Sequence, residues 1–325
     1  MAAANGERVE QIEFDGMPAW ALESASGARA VVAERGAAVL SWEPRPGANL
    51  IDGYHNRADF ESAEAQRSTI AAPWTGRMRG NSYVFAGEKY TVPVPEGKEL
   101  IHGLAWKYDF TAEAIGATLN LRLDFPGEEG YPWPFTLLVR YSLDMGADDV
   151  EHLTVTITVI NTNDHAIPMA IGWQPYVKLP GNKTISNYSL TIPARTKILV
   201  DPDLVPRAGE AAYSGVKAPV VIDYLGANKY NTSFRGLVPG EDGVVTTVLS
   251  DLSSTQRIEL AQEPAEASVV HVFTGDILSE KARESIALEP LSHLPDAFNR
   301  ADAAGSIALA PGAARSMTAT LSYIE

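Results

Sequence analysis

The chain has 325 residues, of which 45% are hydrophobic and 21% charged, and its formal net charge is −15 at pH 7. This negative charge disfavours nucleic acids and anionic membrane surfaces as partners, because phosphate groups are bound by clustered Lys and Arg. The absence of cysteine excludes disulfides, thiolate metal sites and Cys nucleophiles. We see no signal peptide and no run of the ~20 apolar residues that a membrane span needs, so we expect a cytoplasmic protein.

Apolar and polar residues alternate along much of the chain, which predicts half-buried β-strands. The clearest cases in chain order are LRLDF (121–125), FTLLVRYSL (135–143) and HLTVTITVIN (152–161). Pro and Gly recur at short intervals between such segments, whereas helical spacing is almost absent. There is no linker, repeat or change in composition. We therefore predict an all-β protein, a single large antiparallel β-sandwich that forms one domain over residues 1–325, with its core at about 30–324.

The histidines show no spacing typical of zinc or iron ligands, so we predict no metal site. They are His55, His102, His152, His165, His271 and His293. His102 fits either a half-buried residue bonded to the backbone or a site residue, and His271 fits either a core or a pocket position. Glu289 follows an apolar strand. It could cap a loop, or it could be a general base whose pKa is raised in a desolvated cleft.

Several segments occur in an order that decides between these alternatives. They are PWTGRMRGNSYVF (73–85), LIHGLAWKYDF (100–110), GYPWPFTLLVRYSL (130–143), MAIGWQPYVKLPG (169–181), VFTGD (272–276), IALEPLSHLPDAFN (286–299) and LAPGAARSMTATLSYI (309–324). Each motif is weak by itself, but together and in this order they resemble the aldose 1-epimerase, or galactose mutarotase-like, family over residues 30 to 324. The resemblance implies the large β-sandwich of that family, sometimes called a supersandwich.

The resemblance also implies an activity: mutarotases interconvert the α and β anomers of a free sugar through its open-chain aldehyde. A base takes the proton of the C1 hydroxyl and an acid protonates the ring oxygen. By resemblance, Glu289 is the base, His102 polarises the sugar near its ring oxygen, and Arg77 holds sugar hydroxyls. A free sugar, most simply a neutral hexose, is then the partner, with no cofactor. The arginines of GRMRG (76–80) leave room for a phosphosugar.

Further substrate contacts follow from the same resemblance. Trp173 and Tyr176 would form the apolar face against which a sugar stacks. Asn231 occupies the approximate position of an Asp that binds sugar hydroxyls in the family, with Asp223 as a nearby alternative. The oligomeric state is not predicted.

Gln174 departs from the family pattern, because relatives carry the general-acid His at this position. Gln has no proton to give, although its amide can hydrogen-bond a ring oxygen. One interpretation is a working epimerase in which His102 or a bound water replaces the acid. The alternative is a carbohydrate-binding protein on the same fold with little or no turnover. A glycoside hydrolase would need two carboxylates, and only Glu289 is clearly placed.

Overall fold

The computed structural model describes residues 6–94, 100–147 and 149–325, so the first five residues of the N-terminal segment lie outside it. The strands in the first half of the described chain are β1 (Arg8–Phe14), β2 (Met17–Glu23), β3 (Arg29–Ala33), β4 (Val39–Glu43), β5 (Ile70–Ala71), β6 (Ser82–Phe85), β7 (Glu88–Thr91), β8 (Thr111–Ile115), β9 (Thr118–Phe125), β10 (Phe135–Met145), β11 (Glu151–Asn161) and β12 (Ile167–Pro168). Those in the second half are β13 (Gly172–Trp173), β14 (Tyr176–Val177), β15 (Tyr188–Ile192), β16 (Ala194–Ile198), β17 (Tyr213–Gly215), β18 (Val220–Ile222), β19 (Asn231–Leu237), β20 (Val245–Asp251), β21 (Arg257–Gln262), β22 (Val269–Phe273), β23 (Ile286–Leu291), β24 (Ala308–Leu309) and β25 (Ala314–Ile324).

Helices are short in the described chain. The α-helices are α1 (Arg57–Ser62) and α2 (Ala304–Ile307), and the remaining helical turns are 3-10 in type: Glu64–Gln66, Arg79–Asn81, Ala105–Lys107, Ile185–Asn187, Gly209–Ala212 and Ala297–Asn299. Strand accounts for 46% of the structure and helix for 9%, which confirms the predicted all-β class. None of the described helices has the length and apolar character to cross a membrane.

A nine-stranded antiparallel sheet contains the segments with the clearest alternation. Its strand order is β18-β15-β20-β21-β25-β11-β10-β9-β8. Along β10, Leu137, Val139 and Tyr141 are each 1% exposed or less, whereas Arg140 between them is exposed. On the opposite face, Thr and Ser hydroxyls of β11 and β25 bond across the strands, as between Thr154 and Thr320 at 3.0 Å. The alternation of apolar and polar residues therefore predicted both the strands and the buried face correctly.

A second antiparallel sheet is stacked on the first and contains the candidate site. Its strand order is β17-β16-β19-β22-β23-β13-β5, with β14 also paired to β23. The main hydrophobic core includes residues from both sheets, among them Val270, Val272 and Leu288 of the second and Ile157 and Leu260 of the first. Since side chains alternate along a strand, the neighbours of the core residues on β22 and β23 face away from this core.

The remaining strands form smaller sheets. Strands β1 to β4 make a four-stranded sheet in sequence order, and β6-β7 and β12-β24 are two-stranded. These antiparallel sheets confirm the predicted all-β sandwich. That the whole chain folds as one domain stays a prediction.

Candidate active site

The centre of the site is a row of side chains that crosses the second sheet on the face turned away from the core. In the strand register, Ser233 of β19 pairs with His271 of β22, and His271 pairs with Glu289 of β23. Gln174 follows β13 and continues the row, because Gly172 pairs with Leu291. Directly opposite residues have Cβ atoms ~5 Å apart. The antiparallel register thus brings residues from four distant segments of the chain together.

Glu289 is 2% exposed, and its carboxyl group touches side chains from two directions. Its Oε1 accepts a hydrogen bond from Nε2 of Gln174 at 3.2 Å, and its Oε2 lies 3.7 Å from Nε2 of His102. The second distance is longer than a hydrogen bond. Burial raises the pKa of Glu289 to about 8, although the Gln174 hydrogen bond and the charge of Arg77 act in the opposite direction. A carboxyl with this pKa can exchange a proton near neutral pH.

His102 reaches Glu289 from a loop that folds over the sheet. Its φ of +60° is unusual for a residue other than glycine, and two hydrogen bonds to Gly76 hold it. The His102 N–H donates to the Gly76 carbonyl at 3.1 Å, and Nδ1 accepts from the Gly76 N–H at 3.2 Å. Gly103 is required here, because a Cβ at this position would lie 2.0 Å from the carbonyl oxygen of Ala72.

These contacts fix the protonation state of His102. Since Nδ1 is an acceptor, the ring proton is on Nε2, which points toward Glu289. Burial, with the charges of His271 and Arg77, lowers the pKa of His102 to about 3. His102 is therefore a neutral hydrogen-bond donor at physiological pH.

Arg77 enters the site from the strand segment that faces the His102 loop. It forms an isolated antiparallel bridge with Ile101, the neighbour of His102, and its side chain is half-buried. The positive charge of Arg77 lowers the pKa values of His102, His271 and Glu289, so the guanidinium acts on all three groups.

His271 is a site residue that the sequence left undecided. Its Nδ1 lies 2.7 Å from Oγ of Ser233 and its Nε2 lies 3.0 Å from Oδ1 of Asn231. Burial and the charge of Arg77 lower the pKa of His271 to about 3, so this ring is also neutral at physiological pH. The signal in the sequence was the position of His271 in VVHVF, where a polar residue interrupts an apolar strand.

The structure places only some of the other predicted sugar-binding residues near Glu289. Asn231 lies beside His271, whereas Asp223 is exposed after β18 in the other sheet. Tyr176 is fully buried on the side of Glu289, where it packs edge-on against Phe273. Trp173 is also fully buried, but it belongs to the main core. This contradicts the predicted role of Trp173 as a sugar-stacking surface, because its ring and the adjacent Gln174 side chain point to opposite faces of the sheet.

A cleft of about 1110 Å³ lies next to the site. Its walls include Ile101 and Gly103, which flank His102, and residues of the segments 55–67 and 277–281. The side chains of Glu289, Gln174 and His102 are not among its described lining residues, so the cleft borders the site and does not contain it. A volume of this size can hold a small organic ligand. Across residues 6–94, 100–147 and 149–325, no group of three or more His, Asp and Glu side chains is arranged to hold a metal ion.

Comparison with known proteins identifies the family. The family model described as aldose 1-epimerase matches residues 18–323. The chain belongs to the aldose 1-epimerase family. Among curated proteins similar to this chain, the uncharacterized protein YihR of Escherichia coli K12 is 27% identical over 243 residues, which are 72% of each chain.

Solved structures of the family share the fold. The GalM/aldose epimerase homologue from C. elegans superposes with a TM-score of 0.78 at 15% identity, over 98% of this chain and 99% of that one. The galactose 1-epimerase from Lactobacillus acidophilus has a TM-score of 0.77 at 18% identity, over 100% and 99% of the two chains. At these identities the similarity establishes the fold of the chain, and the roles of the site residues stay predictions.

Proposed function

We propose that the protein is an aldose 1-epimerase that interconverts the α and β anomers of a free sugar. The observation that carries this proposal is the buried carboxyl of Glu289, whose two oxygens lie 3.2 Å from the amide of Gln174 and 3.7 Å from the imidazole of His102. A group that can gain and lose a proton near neutral pH thus lies beside neutral hydrogen-bond donors. Opening a hemiacetal needs such a combination.

Each remaining residue has a role in binding or polarising the sugar. The neutral Nε2–H of His102 donates to the ring oxygen, in the manner of a neutral imidazole that polarises a substrate oxygen. Arg77 and Asn231 hold hydroxyls, and Tyr176 packs on the same side of the sheet as Glu289. The reaction only moves protons and leaves the oxidation state of the sugar unchanged, so no cofactor is needed. A neutral hexose is the simplest substrate.

The test is the rate of anomer exchange, followed by polarimetry or NMR for a panel of free and phosphorylated sugars. We expect the protein to accelerate exchange for at least one sugar, and Glu289→Gln to remove nearly all of the acceleration. Loss of a positioned acid or base typically costs 10²–10⁴-fold. The control is Glu241→Gln, which alters an exposed carboxylate in a loop and should change nothing.

Two results would contradict the proposal. Activity that survives Glu289→Gln would exclude the role of this carboxyl. Exchange at the spontaneous rate, together with sugar binding in calorimetry, would favour the alternative of a carbohydrate-binding protein. The departure of Gln174 from the family pattern is the observation that keeps this alternative open.

A further inference from the structure

Among the described residues, none of the side chains around Glu289 is an acid that could give the ring oxygen its proton near neutral pH. Gln174 cannot release a proton. His102 keeps its proton on Nε2 as a neutral ring, and a neutral imidazole is a hydrogen-bond donor rather than an acid at physiological pH. His271 is also neutral, and both of its nitrogens are engaged by Ser233 and Asn231. This inference rests on the proposed function.

We propose that Glu289 acts in its protonated form and carries out both proton transfers itself. The carboxyl O–H donates its proton to the ring oxygen while the carboxyl C=O oxygen accepts the proton of the C1 hydroxyl. The bond between C1 and the ring oxygen breaks with its electron pair going to the ring oxygen, and the C1 hydroxyl becomes the aldehyde carbonyl. Glu289 ends protonated, with the roles of its two oxygens exchanged.

The geometry of the reacting atoms suits a single carboxyl. The ring oxygen and the hydroxyl oxygen are both bonded to C1, just as the two carboxyl oxygens are both bonded to one carbon, so the two pairs have similar spacing. No alkoxide or charged intermediate forms, because one proton is given as the other is taken. Rotation of the aldehyde about the C1–C2 bond and the reverse step then close the other anomer.

The side chain of Gln174 can bond Glu289 in either protonation state. As placed, Nε2 donates to Oε1 of Glu289, and Oε1 of Gln174 is buried without a hydrogen-bond partner among the described residues. When Glu289 is protonated, a half-turn of the carboxamide lets Oε1 accept from the carboxyl O–H, and Nε2 then takes the position that Oε1 held. An amide can thus serve both protonation states of its neighbour, which an ionised partner could not.

The charges that face Glu289 leave the protonated form populated. Arg77 favours ionisation, His102 and His271 are neutral, and Tyr176 on β14 is a phenol whose pKa burial raises well above its usual range. Burial outweighs Arg77, and the pKa of Glu289 stands at about 8. No other described carboxylate acts on Glu289, so no second group competes for the proton in this part of the chain.

The experiment is the pH dependence of kcat/KM for anomer exchange from pH 5 to 10, with the spontaneous rate subtracted at each pH. The proposal predicts a rate that is constant at low pH and falls roughly tenfold per pH unit above the pKa of Glu289. A rate that rises with pH through this pKa and then stays high would overturn the proposal, because ionised Glu289 would be the active form.

A second measurement reports on Glu289 without turnover. In protein labelled with ¹³C at the Glu side-chain carboxyls, the Glu289 signal is the one missing in Glu289→Gln and present in Glu241→Gln. We expect this signal to titrate with a midpoint near the pKa of about 8. A carboxyl fully ionised at pH 6 overturns the proposal even in an active enzyme. A protonated carboxyl in a protein that accelerates no sugar's exchange refutes the proposed function, and this catalytic role with it.

Discussion

Nε2 of Gln174 donates a hydrogen bond to Oε1 of Glu289 across 3.2 Å, between side chains that are 5% and 2% exposed. Two backbone hydrogen bonds hold residue 174 in place: its N–H donates to the Thr69 carbonyl and its carbonyl accepts from the Ser68 N–H, each at 3.0 Å. The amide of Gln174 is therefore held directly against one oxygen of the Glu289 carboxyl. Because an amide does not titrate, it can only orient and stabilise the carboxyl.

Gln174→His should increase the rate of anomer exchange. The imidazole would supply an acid next to Glu289, and a positioned acid contributes up to ~10²–10⁴-fold. The control is Gln174→Leu, which removes the hydrogen bond without adding an acid and should lower the rate. Steady-state polarimetry with one sugar at several pH values measures both variants. Equal rates for Gln174→His and Gln174→Leu would contradict a role of residue 174 in the reaction.

Arg77→Ala should weaken sugar binding by roughly tenfold or more, because hydrogen bonds to a charged group contribute about 1.5–3 kcal/mol. It should also raise the pKa of Glu289, since the charge of Arg77 lowers it. Arg79→Ala is a matched control two residues along the chain: Arg79 is 47% exposed and pairs with Asp201 at 2.6 Å, away from the site. Calorimetric titration compares the two. Equal losses of affinity would show that Arg77 does not contact the sugar.

Local patterns explain which parts of the fold the sequence predicted. Period two located β9, β10 and β11 because the alternation of a half-buried strand is a property of neighbouring residues. Strand pairing is not local: the last strand, β25, lies between β21 and β11. No pattern within a strand specifies such a partner. The sandwich could be predicted from the sequence, but its strand order could not.

The same limit applies to the site. The family resemblance identified Glu289, His102, Arg77 and Gln174. The structure brings the side chains of Glu289, His102 and Gln174 together, and the charge of Arg77 acts on Glu289. His271 stayed undecided because its position opposite Glu289 depends on the register of β22 and β23. Trp173 was assigned to the sugar by its proximity to Gln174 in sequence, whereas adjacent strand residues point to opposite faces.

His271 should act on the sugar through Asn231. Ser233 is 3% exposed and its hydroxyl lies 2.7 Å from Nδ1 of His271, so this hydroxyl is best used as a donor to Nδ1. The ring proton is then on Nε2, where it holds Oδ1 of Asn231 and leaves the amide NH₂ for substrate. We expect His271→Ala to raise KM by roughly 2- to 10-fold, as the loss of a neutral hydrogen bond does.

A double-mutant cycle tests this connection. In the Asn231→Ala background, His271→Ala should have little further effect on KM, because the group that it positions is already gone. His165→Ala, which alters an exposed loop histidine, is the control for losing an imidazole. Additive effects of the two substitutions would mean that His271 and Asn231 act independently, and the positioning role would then be wrong.

The free energy of unfolding should have a maximum near pH 6.5, because burial raises the pKa of Glu289 and lowers the pKa values of His102 and His271. Glu289 has a pKa of about 8 in the folded state against 4.5 unperturbed, so the folded state binds more protons between these values and loses stability as pH rises through them. His102 and His271 have pKa values of about 3 against 6.5, so the stability they contribute is lost as pH falls from 6.5 toward 3.

Urea unfolding at intervals between pH 4 and 9 measures the loss of stability on the acid and on the alkaline side of this maximum. Each proton of difference between the folded and unfolded states changes the free energy of unfolding by about 1.4 kcal/mol per pH unit. Glu289→Gln should remove the decline between pH 6.5 and 8 and become more stable than the unmodified protein at pH 8, while Glu241→Gln keeps the decline. A neutral amide at position 289 has no proton to lose. If stability still declines equally between pH 6.5 and 8 in Glu289→Gln, the pKa of Glu289 is not raised in the folded state.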